Sequence, residues 1–319
     1  MYTAMSEVKA KLKKNPKGKL RSFMKGAILS FKKICSFNVW KNTFRVVRNE
    51  KIAAYWWRGR GNRNWGDKIN PWIISRLSGK DVVHVDDIIN FRFINVYSCI
   101  GSIVEKLRYN GIHIWGSGII SDTSALKINP KKIHAVRGPS TKARLEAEGF
   151  NCPAVYGDPA LLLPRLHKPE VEKTVELGIV PHYVDKDNEN VMRLQVKGEV
   201  MIIDIFGGET EFIDDVNRCK RIVSSSLHGL VVADAYGLPS KWVKLSEKIY
   251  GNDFKFGDYY LSIHVHDEKP FIIDEKTDTT DLIEACWQKE MEIDVDQLLL
   301  ECPFINHSNL SSSKMITHH

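Results

Sequence analysis

The sequence predicts an α/β protein in which two Rossmann-like domains face each other across a cleft, preceded by a basic amphipathic helix. Three observations predict it. Short apolar strands alternate with helical segments along residues 51–168, the alternation restarts within residues 169–305 after a proline-bearing linker, and polar turns follow several strands. Such alternation is typical of parallel sheets covered by helices. A chain of 319 residues can form two domains, each with its own core.

Residues 1–50 carry the positive charge of the protein. Thirteen Lys or Arg residues and two acids give this segment +11, whereas the whole chain carries +7, so the remainder sums to −4. The mildly acidic remainder argues against a nucleic-acid binder. Within the segment, residues 20–35 have apolar residues at helical spacing with basic residues opposite. This helix either attaches to an anionic membrane surface or packs on the protein core, and both interpretations stay open.

The first predicted domain spans residues 51–168. Its predicted strands are 51–57, 82–85, 112–115 and 133–136. Its predicted helices follow the loop at 59–66 through residue 77, then cover 101–109 and 139–148. The last of these begins at Pro139, because a proline at the first helical position lacks only an N–H that would be unpaired there.

The second predicted domain spans residues 169–305. Its predicted strands are 175–181, 201–205, 221–224 and 241–245, with helices over 209–219 and 227–236. Residues 252–280 are predicted to be irregular, and 281–302 to form a last helix. The tail at 306–319 is predicted to be disordered.

Two glycine-bearing turns follow strands of the first domain. They are Asn64-Trp65-Gly66-Asp67 and Trp115-Gly116-Ser117-Gly118. A glycine at a strand-to-helix turn exposes backbone N–H groups to which a phosphate or carboxylate can bind. Asp67 is either a simple helix cap or a functional carboxylate, and the second glycine pair is either a ligand-binding turn or a plain tight turn.

Two further turns carry side chains suited to an anionic ligand. Arg137 ends a strand beside Gly138 and Pro139, so its guanidinium is expected at a sheet edge next to a helix N-terminus. In Ser224-Ser225-Ser226-Leu227-His228-Gly229, Ser225 or Ser226 can cap the next helix, and His228 lies in its first turn. We expect both side chains to face the cleft.

Several established site types are absent from the sequence. It has no Walker loop, no complete Gly-x-Gly-x-x-Gly, no Gly-x-Ser-x-Gly elbow and no His-Glu-x-x-His. Six scattered cysteines lack zinc-site spacing and are expected to be reduced thiols. No metal site or cofactor is therefore expected.

In this order and spacing, the motifs resemble the polysaccharide pyruvyl transferase family over residues 52–305. The matching stretches are Asn64–Asp67, Gly116–Gly118, His134–Pro139, Gly157–Pro164, Gly178–His182 and Ser224–Pro239. The resemblance implies a glycosyltransferase-B-like architecture, phosphoenolpyruvate as donor, and a sugar product carrying pyruvate as a ketal. The sugar is expected to belong to a surface polysaccharide or exopolysaccharide and can be lipid-linked.

The resemblance implies that Arg137 is the donor-binding arginine of the family and His228 its Leu-His-Gly histidine. The roles of the other residues follow as a hypothesis from the turns in which they lie and from the chemistry of the reaction. Arg137 is the expected donor anchor, assisted by Gly66, Gly118, Ser225 and Ser226. His228 is expected to act as general acid or base, or as phosphate ligand. Asp67 is expected to act as base or to orient the acceptor.

The chain departs from the family at one expected site position. Some members carry arginine where this chain has Ser226. A second cation must then come from elsewhere. The candidates for this second anion or for the acceptor are Asn64, Arg58, Arg60, Arg63 and His182.

Two other functions stay open at this point. The first is a glycosyltransferase of the same architecture that uses a nucleotide sugar. The second is a non-catalytic, membrane-attached sugar-binding protein, which the basic helix favours. Whichever function holds, the protein is expected in the cytoplasm, and it lies on the inner face of the membrane if the basic helix binds there.

Overall fold

A computed structural model describes residues 35–59, 64–197, 200–251 and 253–305. It contains two five-stranded sheets, and all of their strand pairs are parallel. The predicted α/β class with two parallel sheets is therefore confirmed, whereas the glycosyltransferase-B-like arrangement stays a prediction. The predicted basic helix over 20–35, together with Arg60, Arg63 and the tail at 306–319, lies outside the described residues.

The first sheet and its helices form one lobe. Its strands are β1 (Lys51–Ala54), β2 (Asp81–His84), β3 (Val96–Ser98), β4 (Ile112–Trp115) and β5 (Lys132–Ala135). Its helices are α1 (Phe37–Val47), α2 (Trp65–Ser78) and α3 (Pro139–Ala147). The strand order is β2-β1-β3-β4-β5. All four residues of β4 are buried, as expected for a central parallel strand covered on both faces.

The second sheet forms the other lobe. Its strands are β6 (Val175–Val180), β7 (Val200–Ile202), β8 (Cys219–Ser224), β9 (Ser240–Lys244) and β10 (Phe271–Ile272). The helices of this half are α4 (Leu163–Leu166), α5 (Glu189–Lys197), α6 (Glu209–Asn217), α7 (Leu227–Ala235), α8 (Phe254–Ser262), α9 (Thr279–Ala285) and α10 (Val295–Leu300). The strand order is β10-β9-β8-β6-β7. Helix α7 is buried almost throughout, which explains its continuously apolar sequence.

Both sheets have the same topology. In each lobe the second strand lies outside the first, and the later strands follow on the first strand's other side. The strand order therefore reverses between β1 and β3 in one lobe and between β6 and β8 in the other. In open α/β sheets, ligands bind beyond the carboxyl ends of the strands at such a switch point.

The structure differs from the predicted elements at several places. Helices α1, α4 and α5 and strand β3 were not expected. The helix predicted over 101–109 is only a short 3-10 turn, Val104–Lys106, because Gly101 has a positive φ and Ser102 bridges to Gly118. The region 252–280, predicted to be irregular, contains α8 and β10, and the helix predicted over 281–302 is two helices, α9 and α10. Trp287 interrupts that last helix because its backbone bonds to Ser240.

Several contacts between described residues tie the lobes together, among them the following. Helix α8 packs on α3, where the Asp258 carboxylate accepts hydrogen bonds from the Thr141 backbone N–H and hydroxyl. At the start of α2, Trp65 donates its indole N–H to the carbonyl of Glu209. The indole N–H of Trp115 donates to the carbonyl of Leu298 on α10. These bonds hold the two switch points against each other.

Helix α1 lies at the edge of the first lobe. It packs on β1 and on the turn that follows β2. Phe37, Trp40 and Phe44 on this helix are exposed. Among the described residues, no helix is long and apolar enough to cross a lipid bilayer.

Candidate active site

A cavity of about 130 Å³ lies at the carboxyl ends of the strands where the lobes meet. Trp57 and Ser102 line it from beyond β1 and β3, and His182 and His228 from beyond β6 and β8. The cavity thus lies at the switch points of both sheets. The other lining residues are Asn64, Asp67, Gly101, Ile103, Lys106, Ile120, Tyr183, Ser226, Leu227, Ile249, Tyr250 and Lys255.

The start of α2 supplies two of the expected residues. Asn64 is the N-cap, and its side-chain oxygen accepts the N–H of Gly66 at 3.1 Å. The cap is therefore Asn64 and not Asp67, which lies in the first turn with its carboxylate on the cavity wall. Because Gly66 gives its N–H to Asn64, that group is not free to bind an anion here.

Gly66 instead makes room for His228. A Cβ at position 66 would lie 2.0 Å from His228 Nδ1, which no side chain tolerates. The imidazole therefore packs directly on the backbone of α2, with its edge toward the ring of Trp65. Gly66 and His228, which lie in different sequence motifs, thus form one contact between the lobes.

The other ring nitrogen of His228 faces a buried carboxylate. Nε2 lies 3.5 Å from Asp158 Oδ2, and the exposed fraction of Asp158 is 1%. Within the part of the chain that the structure describes, neither of these two atoms has a hydrogen-bond partner. The other oxygen of Asp158 accepts the N–H of Ala160 at 3.0 Å, which fixes the carboxylate at the start of a short 3-10 turn.

Arg137 lies behind the cavity and does not line it. Its side chain is 1% exposed, and its Nε and Nη2 lie 2.9 Å from Asp258 Oδ2. Nη1 donates to Ser102 Oγ at 2.5 Å, and Nη2 donates to the carbonyl of Ile119 at 2.7 Å. Since Ser102 lines the cavity, Arg137 reaches the site through that hydroxyl. Its assignment as a donor anchor stays a prediction.

Gly118 leaves space for the side chain of Arg137, in the same way that Gly66 leaves space for His228. A Cβ at position 118 would lie 2.3 Å from the guanidinium carbon of Arg137. The N–H of Gly118 donates to the carbonyl of Gly101, so it is not free for a ligand either. Both motif glycines therefore make room for a side chain of another motif, and anion binding by the backbone near them stays a prediction.

The serine-rich turn shapes the cavity floor. Ser225 is buried, and its hydroxyl accepts the backbone N–H of His182 at 2.8 Å. Ser226 is the N-cap of α7 and lines the cavity, but its side chain does not cap the helix. Burial, and then the charge of Lys255, lower the pKa of His182 to about 3, so His182 is neutral and not a cation at neutral pH.

Two lysines that the sequence did not indicate are the cations of the cavity. Lys255, on α8, is buried, and no carboxylate of the described residues lies within 4.0 Å of its ammonium group. Lys106 lies over the ring of Trp57 at 3.8 Å. Lys106 lies in the segment that was predicted to be a helix, and Lys255 lies in the region that was predicted to be irregular. Arg58, an expected candidate, instead pairs with Asp87 at 2.7 Å.

Burial shifts the pKa values of two opposed groups in the cavity. Burial raises the pKa of Asp67 to about 6, although His228, Lys106 and Lys255 act to lower it. Burial, with the charge of Arg137, lowers the pKa of Lys255 to about 8, against the opposing effects of Asp253 and Asp67. At pH 7 the cavity therefore holds a largely ionised carboxylate and a charged lysine, each near its titration point.

A larger cavity, about 440 Å³, lies elsewhere in the first lobe. It adjoins the amino ends of β1 and β3 and the segment 303–305. In parallel sheets the ligand-binding edge is the carboxyl one, so the smaller cavity is the candidate active site. Within the described ranges, no group of three or more His, Cys, Asp or Glu side chains is placed to hold a metal ion.

Comparison with known proteins gives a family and two relatives. The sequence model of the family described as polysaccharide pyruvyl transferase matches residues 42–244. The chain is 33% identical over 203 residues to uncharacterized protein L143 of Acanthamoeba polyphaga mimivirus, covering 61% of this chain and 69% of that one. It is 26% identical over 223 residues to the succinoglycan biosynthesis protein ExoV of Rhizobium meliloti (strain 1021), covering 67% and 66%.

No solved structure matches the chain. The family match spans both switch points and reaches the end of β9. It includes Asp67, Arg137, Asp158 and His228, and it confirms the resemblance found in the motifs. The chain belongs to the polysaccharide pyruvyl transferase family.

Proposed function

We propose that this protein transfers the pyruvyl group of phosphoenolpyruvate onto two hydroxyls of a sugar, forming a pyruvate ketal in surface polysaccharide or exopolysaccharide biosynthesis. Family membership supports pyruvyl transfer in polysaccharide biosynthesis. The observation that carries the finer proposal is the small cavity in which buried Lys255, Lys106 and His228 surround Asp67. Its volume of about 130 Å³ suits a small anion better than a nucleotide sugar, since pockets for drug-sized ligands measure roughly 300–1,000 Å³.

The chemistry requires one proton donor and one proton acceptor. Protonation of the methylene carbon of phosphoenolpyruvate makes the adjacent carbon electrophilic. A sugar hydroxyl attacks that carbon and loses its proton. The C–O bond to phosphate then breaks, and a second hydroxyl closes the ketal and loses its proton. The two hydroxyl protons balance the one taken up by the methyl group and the one taken up by the departing phosphate.

The lysines are the proposed anchors for the donor's two anionic groups. An ammonium group in a partly dry cavity binds phosphate or carboxylate strongly, because little water competes for it. Lys255 lies on α8 and Lys106 on the opposite lobe, so the donor would be held between the lobes. Arg137 contributes by fixing the hydroxyl of Ser102 at the cavity wall. This division of roles replaces the backbone N–H groups expected at Gly66 and Gly118.

Asp67 and His228 are the proposed proton-transfer groups. A carboxylate whose pKa is about 6 can accept a hydroxyl proton at neutral pH and release it again. His228 is 8% exposed and opens onto the same cavity, where it supplies the proton for the methylene carbon or binds the phosphate. We expect no metal ion or cofactor to take part.

We further propose that the acceptor is lipid-linked and that residues 20–35 attach the protein to the cytoplasmic face of an anionic membrane. The basic composition of residues 1–50 supports this, as do the exposed aromatic side chains of α1 that follow. Cosedimentation with vesicles tests it. Anionic vesicles should bind the protein more than zwitterionic ones, and a Lys25→Glu, Lys32→Glu, Lys33→Glu variant should lose that preference. Equal binding by the variant would contradict it.

The catalytic proposal is tested by phosphate release. Purified protein is supplied with phosphoenolpyruvate and a panel of sugar acceptors, and the product mass is measured. The product should gain the mass of a pyruvate ketal, and His228→Ala and Lys255→Met should each abolish most turnover. Lys276→Met, an exposed lysine outside the cavity, is the matched control. Stabilisation by a nucleotide sugar and none by phosphoenolpyruvate would refute the proposal.

A further inference from the structure

We infer that Asp158 is the positioning partner of His228: its carboxylate accepts the Nε2–H of the imidazole and thereby leaves Nδ1 as the nitrogen that serves the ligand. The motif that contains Asp158 had no functional assignment in the sequence. The inference goes beyond the proposed function, and its kinetic consequence rests on that function.

The two facing atoms lack any other partner. His228 Nε2 and Asp158 Oδ2 are buried, lie 3.5 Å apart and make no hydrogen bond to any described group. A buried acceptor or donor without a partner is costly, because it has given up its hydrogen bonds to water. The 3.5 Å separation is long for a hydrogen bond, as catalytic hydrogen bonds often are before the ligand binds.

The local structure holds Asp158 in place independently of His228. Its Oδ1 accepts the N–H of Ala160, and Pro159 follows in the short 3-10 turn. The preceding Gly157 has φ 135°, a conformation that favours glycine, and it donates its N–H to the carbonyls of Val136 and Arg137. The carboxylate therefore lies on the Nε2 side of the imidazole, whereas Nδ1 lies beside the backbone of Gly66 at the start of α2, where His228 and Asp67 line the cavity.

A buried carboxylate behind an imidazole selects one tautomer. With Nε2–H donated to Asp158, the neutral ring presents a lone pair at Nδ1, and the protonated ring presents an N–H there. The same nitrogen can then take up a proton and give it to the methylene carbon. Without the carboxylate, the ring is free to protonate Nδ1 in its neutral form, which blocks that exchange.

The experiment combines nitrogen NMR with kinetics. Histidine is labelled with 15N in the full-length protein, and the His228 signals are assigned by comparison with His228→Gln. In the wild type, Nε2 should be the protonated nitrogen of the neutral ring. Asp158→Asn, whose side-chain oxygen can still cap Ala160, should lose this preference. With phosphoenolpyruvate and an acceptor, its kcat should fall about 10²- to 10⁴-fold while KM for the donor changes little.

The NMR result stands apart from the proposed function, because it requires no substrate. A wild-type ring protonated at Nδ1 would overturn the inference even if the asparagine variant failed to fold. An unchanged kcat in a folded Asp158→Asn protein would overturn it as well. If no acceptor turns over, the pyruvyl transfer proposal fails while the tautomer measurement still decides the role of Asp158.

Discussion

Replacing Lys255 by arginine should remove the alkaline limb of the activity profile. In the wild type, Asp67 must be ionised and Lys255 charged, so kcat/KM for phosphoenolpyruvate should rise through about pH 6 and fall through about pH 8. At pH 9 a group with a pKa of about 8 is roughly 10% protonated, which predicts an approximately tenfold loss from the plateau. Arginine keeps its charge throughout this range, so Lys255→Arg should stay level to pH 9.

Two companion variants separate charge from geometry. Lys255→Met removes a charged hydrogen bond worth about 1.5–3 kcal/mol, so kcat/KM at pH 7 should fall about 10- to 150-fold. Asp67→Asn should remove the acid limb that Asp67 contributes and lower kcat. The second ionisation of the donor's phosphate also lies near pH 6, but it is common to all variants and cancels when they are compared.

The assay is continuous phosphate release at donor concentrations well below KM, from pH 5 to pH 9.5. Lys276→Arg, an exposed lysine replaced in the same way, is the control and should follow the wild-type profile. An alkaline limb at the same pH in wild type and Lys255→Arg would refute the reasoning, because the titrating group would then be another residue.

Three further predictions concern a close contact in the site and two groups of buried charged or titratable side chains. Gly66→Ala places a Cβ 2.0 Å from His228 Nδ1 and should lower kcat/KM at least 100-fold, whereas Gly257→Ala, with open space around its Cβ, should keep full activity in the same assay. Asp258→Asn breaks the buried pair with Arg137 and should lower the free energy of unfolding in denaturant by about 3–5 kcal/mol; Asp296→Asn, from an exposed pair, should lower it by less than about 1 kcal/mol. Burial lowers the pKa values of His113 and His134 to about 4. Between pH 6.5 and 4 the unfolded chain therefore binds more protons at these rings than the folded protein does. The free energy of unfolding should consequently fall as the pH drops through that window. At pH 5 the loss is up to about 2 kcal/mol for each ring, and His134→Gln should reduce the slope, whereas exposed His264→Gln should not.

The sequence predicted those site residues that lie in turns. Asn64, Asp67 and His228 were found because glycines and serines mark the ends of parallel strands, and the structure brings all three to one cavity. It also predicted the two parallel sheets, since their apolar strands alternate with helices. Both signals, the turn residues and the alternation of strands with helices, involve residues close together in the chain, and such patterns can be recognised in a single sequence.

The remaining features depend on partners distant in the chain. The burial of Arg137 is set by Asp258, 121 residues later, which no motif relates to it. Lys255 was missed because Gly251 and Gly257 make its surroundings resemble a loop, whereas α8 is stabilised by tertiary contacts. Phe256 stacks on Trp242, and Tyr259 donates to Asp234. Tertiary packing thus overrides local propensity in the element that supplies the buried cation.

The attachment of α8 to the first lobe limits how this protein can be recombined with its relatives. The helix follows β9 in the chain, yet its Asp258 is bonded to Arg137 and Thr141 beside α3. A chimera joined at the linker near residue 168 would take the helix from one parent and its docking turn from the other. Such a hybrid would need a matching acid and arginine from both parents, so the two halves are not interchangeable modules even though their sheets have the same strand order.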